Sequence, residues 1–137
     1  MSEEIERIYN RLVDDEKLKD GTKYEILAAM VFKILDKSAL VVHEVTLKGP
    51  GKEAEHKIDV TATDATGQQW RVIIEARDRD EPVGLDQVRS FQGVIHQIKP
   101  DRAWIVARNR FTDDAGKYAG DEGIGLAVLQ PATPGER

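Results

Sequence analysis

The chain contains no cysteine, which excludes disulfides, cysteine-ligated zinc and a cysteine nucleophile and fits a reducing compartment. Aromatic residues make up only 6%, too few for the aromatic-walled groove that a pair of glycosidase acids would want. No apolar run approaches the roughly 18 residues of a membrane helix, and the N-terminus lacks the apolar core of a signal peptide. A cytoplasmic protein without a membrane anchor is therefore expected. Absent too are a Gly-x-Ser-x-Gly elbow, a dinucleotide-binding glycine pattern and a Walker motif. The loop Lys48-Gly49-Pro50-Gly51-Lys52-Glu53 has the composition of a phosphate-binding loop, but neither the glycine spacing nor Lys-Ser/Thr before a helix. A basic excess is also missing: the net charge of −5 argues against a large basic surface for nucleic acid.

What is present describes an ordinary globular chain. Its 137 residues, 40% hydrophobic and 33% charged, suffice for one domain with its own core. Charge is uneven: residues 1–20 hold seven acids and four bases, so the remainder is close to neutral. Arg77, Arg79, Arg102, Arg108 and Arg110 can then form a local basic patch, or stand as scattered solvated arginines. Of these, Arg79, Arg108 and Arg110 are the candidates for contact with nucleic acid.

Hydrophobic spacing sets the elements. Ile5, Ile8, Leu12 and Val13 predict an amphipathic N-terminal arm over 1–20, a packing or dimerisation element ending near Asp20-Gly21. A second helix is expected to start after Thr22 and run to about Asp36, burying Leu27, Val31, Ile34 and Leu35. Strands follow at about 40–48, 57–64 and 69–77, the last two joined by the turn Asp64-Ala65-Thr66-Gly67 as an antiparallel hairpin. A helix marked by Leu85, Val88, Phe91 and Ile95 ends at Pro100, and Ala103 to Ala107 reads as a doubly covered strand. Thr112 can cap a short helix ending near Gly120, Ile124 to Leu129 gives a last strand, and the tail 131–137 is expected to be mobile. The series is a mixed α/β sheet of about five strands flanked by helices.

Charges inside the β-branched runs carry the chemistry. Asp59 lies in Lys57-Ile58-Asp59-Val60, and Glu75 and Arg77 lie in Val72-Ile73-Ile74-Glu75-Ala76-Arg77. An acid within a buried strand costs several kcal/mol unless it is paired or binds a cation. Two such acids on neighbouring strands suggest a metal site, with an ion pair to Arg77 or Lys57 as the plainer alternative. Glu75 and Arg77 share a face by alternation. Asp59 joins that face only if the hairpin register pairs residues whose numbers sum to an even value. It then lies diagonal to Glu75 at about 7–8 Å, close enough to share a hard ion such as Mg²⁺ or Mn²⁺. The histidines, His43, His56 and His96, show no metal-binding spacing and read as surface residues, His56 being nearest the acids.

Five segments in order, Gly21-Thr22-Lys23-Tyr24-Glu25, Lys57 to Val60, Val72 to Arg77, Val88-Arg89-Ser90-Phe91-Gln92-Gly93 and Phe111-Thr112-Asp113-Asp114-Ala115, resemble the PD-(D/E)xK nuclease superfamily, within it the Mrr-like, type IV restriction-endonuclease branch. The resemblance spans about 21–129 and implies a restriction-endonuclease-like core over 21–130. It also implies a metal-dependent endodeoxyribonuclease of restriction, defence or repair type, acting on DNA. Asp59 and Glu75 would hold the metal, and Glu25, on the first core helix, would complete the metal or water shell. Thr22 to Glu25 also spells a capping box, in which Glu25 would bond back to the backbone of Thr22. Gln92 is a further supporting candidate. The family pattern expects lysine where Arg77 stands; arginine keeps the charge but cannot act as a base. That departure opens the alternative of a weakened nuclease fold that binds DNA or a partner protein, and Lys57 is the candidate to supply a relocated ammonium. Cutting both strands of a duplex implies a homodimer, and specificity would come from loops 49–56 or 78–84 or from a partner subunit.

Overall fold

The computed structural model describes Arg7 and residues 18–130. The expected N-terminal arm, apart from Arg7, and the tail 131–137 lie outside the described residues. The elements are α1 (Asp20–Leu35), β1 (Leu40–Lys48), β2 (Glu55–Thr63), β3 (Arg71–Arg77), α2 (Leu85–Ile98), β4 (Arg102–Ala107), α3 (Asp113–Glu122) and β5 (Gly125–Val128). The five strands form one sheet in sequential order. β1, β2 and β3 are antiparallel neighbours, while β3, β4 and β5 run parallel. The parallel half follows from its connections, since α2 and α3 each carry the chain back across the sheet as a parallel pairing requires.

Local chemistry sets the boundaries. In the β2–β3 turn Asp64 holds the backbone N–H of Gln69 at 2.9 Å and the Thr66 hydroxyl, and Gly67 takes φ 76°, a left-handed conformation that glycine adopts without strain. The Thr66 hydroxyl is the main reason that the Asp64 carboxyl is held down at about 2. The Thr112 side chain caps α3 by accepting the Ala115 N–H, as its sequence position predicts. Lys99 closes α2 in a left-handed conformation directly before Pro100, where the helix cannot continue.

The sheet separates two apolar layers. Ile58, Ile73, Val88, Phe91, Ile105 and Ala115 pack together on the side of α2 and α3. On the other side Val60, Ala62, Val72 and Ile74 meet Phe32 and Trp104, while Tyr24 and Leu27 of α1 pack against Ala76 and Val106. Leu35 departs from the expected buried stripe and is 76% exposed. It ends α1 beyond the packed region, at the rim of an apolar groove that also involves Val128 and Trp104, and Tyr24 and Ala28 take the buried positions instead.

Candidate active site

Asp59 marks the place where the sheet opens. Val60 faces Ile74 and Thr61 faces Ile73, an even register that, carried one step further, would set Asp59 directly opposite Glu75 rather than diagonal to it. The ladder stops there, and Asp59 Oδ2 instead accepts the Ala76 N–H at 2.9 Å. On the other flank the β1–β2 ladder pairs His43 with Val60 and Val45 with Ile58 but passes over Glu44 and Asp59, and Glu44 has φ 58°. Ile58 therefore packs in the layer under α2 and Val60 in the layer under α1, although alternation would put both on one face. The strand is twisted at Asp59, so its carboxylate is placed by this break and not by simple parity.

Asp59 and Glu75 are both perturbed by their surroundings. Burial pushes the Asp59 carboxyl above its ordinary pKa, and the negative charge of Glu25 adds to the rise; the Ala76 N–H, Arg77 and Lys57 act against it. Burial likewise raises Glu75, with Arg77 opposing and Asp59 contributing. Asp59 thus stands electrostatically between Glu25 and Glu75. Glu75 Oε2 accepts from Arg77 Nε at 3.0 Å and Nη2 at 2.9 Å, so the ion pair allowed by the sequence is formed. Two part-buried carboxylates that repel one another are a donor set suited to a hard dication, whose charge relieves both the burial and the repulsion.

The remaining sequence candidates divide. Glu25 forms no capping box, because α1 begins at Asp20 with Lys19 as its cap, leaving Thr22 already inside the first turn. Its Oε1 lies 2.8 Å from His43 Nε2. Lys57 pairs with Glu44 at 2.8 Å, with 62% of its side chain exposed, and its charge reaches Asp59. Gln92 occupies the α2 face between Val88 and Ile95, both packed on the sheet. Its Oε1 is the buried side-chain polar atom without a hydrogen-bond partner among the described residues, an acceptor that calls for a donor from water or a bound molecule.

Arg79 is exposed and lines, with Arg77, Glu81, Pro82, Val83 and Gln87, a cleft of ≈ 180 Å³. Arg108 is engaged with Asp78 at 2.5 Å and Asp80 at 2.7 Å, which braces the loop after β3. The same loop is pinned by Val83, whose N–H donates to the Arg110 carbonyl at 2.8 Å. Arg110 itself is exposed.

Two residues carried no signal in the sequence. Among the described residues, the group of three or more possible metal-ligating side chains whose donor atoms all lie within 4.8 Å of one another is Glu25, His43 and Glu44. His56, expected nearest the acids, instead bonds Gln97 at 2.6 Å. Adjacent residues on a strand ordinarily face apart, so only the left-handed turn at Glu44 could have revealed that it joins His43.

Residues 20–130 match the sequence profile of a restriction endonuclease family, that of the Mrr catalytic domain. No curated protein matches the chain. Among solved structures it is similar to AF1548, a protein of unknown function, with 25% identity and a TM-score of 0.62 over 77% of this chain and 58% of that one. VC1899 from Vibrio cholerae gives 17% identity and a TM-score of 0.62, covering 80% of this chain and 30% of that one. EndoMS, in its complex with double-stranded DNA, gives 19% and 0.51 over 88% and 49%. The last two likenesses are likenesses of fold, and the chain spans less than two thirds of the length of each structure named. Among the described residues no helix is long and apolar enough to cross a membrane.

Proposed function

The chain belongs to the Mrr-type restriction endonuclease family and has its fold, and on that premise we propose that it is a metal-dependent endonuclease hydrolysing DNA phosphodiester bonds. The observation that carries the reading is the pair Asp59 and Glu75, at the opening between β2 and β3, both raised in pKa chiefly by burial, Asp59 further by the charge of Glu25 and Glu75 further by that of Asp59. They would hold Mg²⁺ or Mn²⁺, and Glu25 would lend further negative charge beside Asp59. Such an ion, when bound, polarises a phosphate oxygen and lowers the pKa of a water.

The rest is work for the chain's own groups. The Ala76 N–H fixes Asp59 in position. Glu75 orients Arg77, whose other N–H groups are available to a phosphate oxygen through the planar fork. Arg79 stands on the same cleft as a second cation for the backbone of the nucleic acid, while Arg108 keeps the intervening loop in place and Arg110 borders it. Gln92 offers an enclosed acceptor for a water or a substrate donor, and Lys57 an exposed ammonium near Asp59. With a net charge of −5, binding rests on these few phosphate contacts and weakens with salt in proportion to their number. Two copies, one per strand, would be needed for a double-strand break.

A second reading has its own observation: Arg77 occupies Glu75 Oε2 through two hydrogen bonds, which competes with a metal and favours a weakened fold that binds without cutting. Incubation with supercoiled plasmid and Mg²⁺ or Mn²⁺ at low salt separates the two. Nicking by the native chain that vanishes in Asp59→Ala and Glu75→Ala, and quickens in Arg77→Lys, is the expected result. Cutting only after Arg77→Lys would establish the weakened fold, and no cutting by any variant would overturn the nuclease reading.

A further inference from the structure

The described surface offers an apolar groove beside α1, an arginine-lined cleft next to the acids, and one mixed donor cluster with a geometry of its own. We propose that this cluster, Glu25, His43 and Glu44, is a second cation site, separate from Asp59 and Glu75, that takes a transition-metal dication and prefers Zn²⁺ to Mg²⁺.

The donors come from two elements, Glu25 from α1 and the other two from the interrupted edge of β1. An imidazole nitrogen and two carboxylate oxygens lie mutually within 4.8 Å. Metal–ligand bonds of about 2.0–2.2 Å in a tetrahedral set place ligand atoms about 3.3–3.6 Å apart. Glu25 Oε1 and His43 Nε2, hydrogen-bonded at 2.8 Å, reach that spacing by a small side-chain adjustment, as does the third donor. Successive residues of a regular strand could not supply this pair. The φ of 58° at Glu44 turns the backbone between His43 and Val45, and β1 and β2 leave Glu44 out of their ladder.

The imidazole separates this set from a patch of acids. Nitrogen donors shift preference from Mg²⁺, which demands oxygen and keeps its waters, towards the borderline metals, among which affinity rises from Mn²⁺ to a maximum at Cu²⁺ and Zn²⁺ is bound more tightly than Mn²⁺. Glu25 and His43 are shielded, with 16% and 22% of their side chains exposed, whereas Glu44 at 46% forms the open side. An arriving ion displaces two contacts, the exposed Lys57–Glu44 ion pair, of a kind that contributes little to stability, and the proton shared between Glu25 and His43. An ion here also offsets the repulsion that Glu25 exerts on Asp59.

This inference does not depend on cleavage, and its test reads binding. Metal-free protein is dialysed to equilibrium against Zn²⁺ and, separately, Mg²⁺, using the native chain, His43→Gln, Glu44→Gln and the double variant Asp59→Asn/Glu75→Gln. NMR of the imidazole nitrogens follows which histidine is ligated. In the double variant, which lacks the Asp59 and Glu75 carboxylates, one Zn²⁺ per chain at His43 is expected, tighter than Mg²⁺. Each of the two single variants should weaken it by about tenfold or more, since loss of outer partners alone costs that much. Glu44→Gln alters only an exposed side chain, so it reports even if His43→Gln unfolds. Overturning results are no Zn²⁺ binding, Zn²⁺ affinity untouched by either single variant, equal affinity for Mg²⁺, or loss of the site in Asp59→Asn/Glu75→Gln.

Discussion

Replacing Asp59 by alanine and by asparagine separates what the carboxylate does for the fold from what it does for catalysis. Both changes remove the negative charge that, in the proposed function, would hold the metal, so both should abolish nicking of supercoiled plasmid. They differ in one atom that matters: asparagine keeps an oxygen where Oδ2 accepts the Ala76 N–H at 2.9 Å, and alanine does not. A part-buried N–H left without its acceptor costs about 1–3 kcal/mol. Because water can partly reach this site, the lower half of that range applies, about 1–2 kcal/mol between the two variants. Both also lose the burial penalty that raises the native pKa, so this contribution cancels in the comparison. Urea unfolding of a domain this size, with a slope of about 1–3 kcal/mol/M, should then put the alanine midpoint about 0.3–2 M below the asparagine midpoint. Equal midpoints would refute the claim that Asp59 replaces the ladder at the β2–β3 opening. Nicking retained by the asparagine variant would refute its part in holding the metal.

Two further outcomes are expected. The folded pKa values of Asp59 and Glu75 lie above their ordinary 3.8 and 4.5, so the native state holds these protons more tightly than the unfolded chain. Their stabilising contribution is complete below the ordinary values and is lost as pH rises through the folded ones. Melting of the metal-free protein between pH about 4 and 7 should therefore fall relative to Asp59→Asn/Glu75→Gln, and saturating Mg²⁺ should close the difference; parallel profiles would contradict it. Asp64, held at about 2, acts in the opposite sense but is common to both proteins. Separately, a Cβ at Gly125 would lie 2.5 Å from two carbons of the Trp104 ring, so Gly125→Ala should lower stability by about 1–3 kcal/mol through overpacking, with a changed Trp fluorescence; an unaltered melt would show that β5 shifts freely.

The chain order of the elements was legible because it is written in local terms. Apolar spacing, the Asp64 to Gly67 turn, the Thr112 cap and Pro100 each act within a few residues, and each appears where those rules put it. Leu35 was misread because periodicity says which face a residue shares and not whether anything lies opposite the end of that face. The capping box at Thr22 failed for a related reason: the helix starts three residues earlier, at Asp20 with Lys19 as its cap, which turns Glu25 over to His43. Those two residues are 18 apart along the chain, and no local pattern connects them.

By itself, then, the sequence determined the mixed α/β architecture, the family, and the identity of Asp59, Glu75 and Arg77 as charges that a buried strand does not tolerate without a partner. The tertiary structure decided how those charges meet. Strict alternation would place Asp59 by parity, but the ladder breaks on both sides of it, its carboxylate takes over the Ala76 N–H, and the left-handed turn at Glu44 gathers a third donor beside Glu25 and His43. Such breaks arise from the balance of hydrogen bonds among three strands and a helix, which are joined in space and separated in the chain.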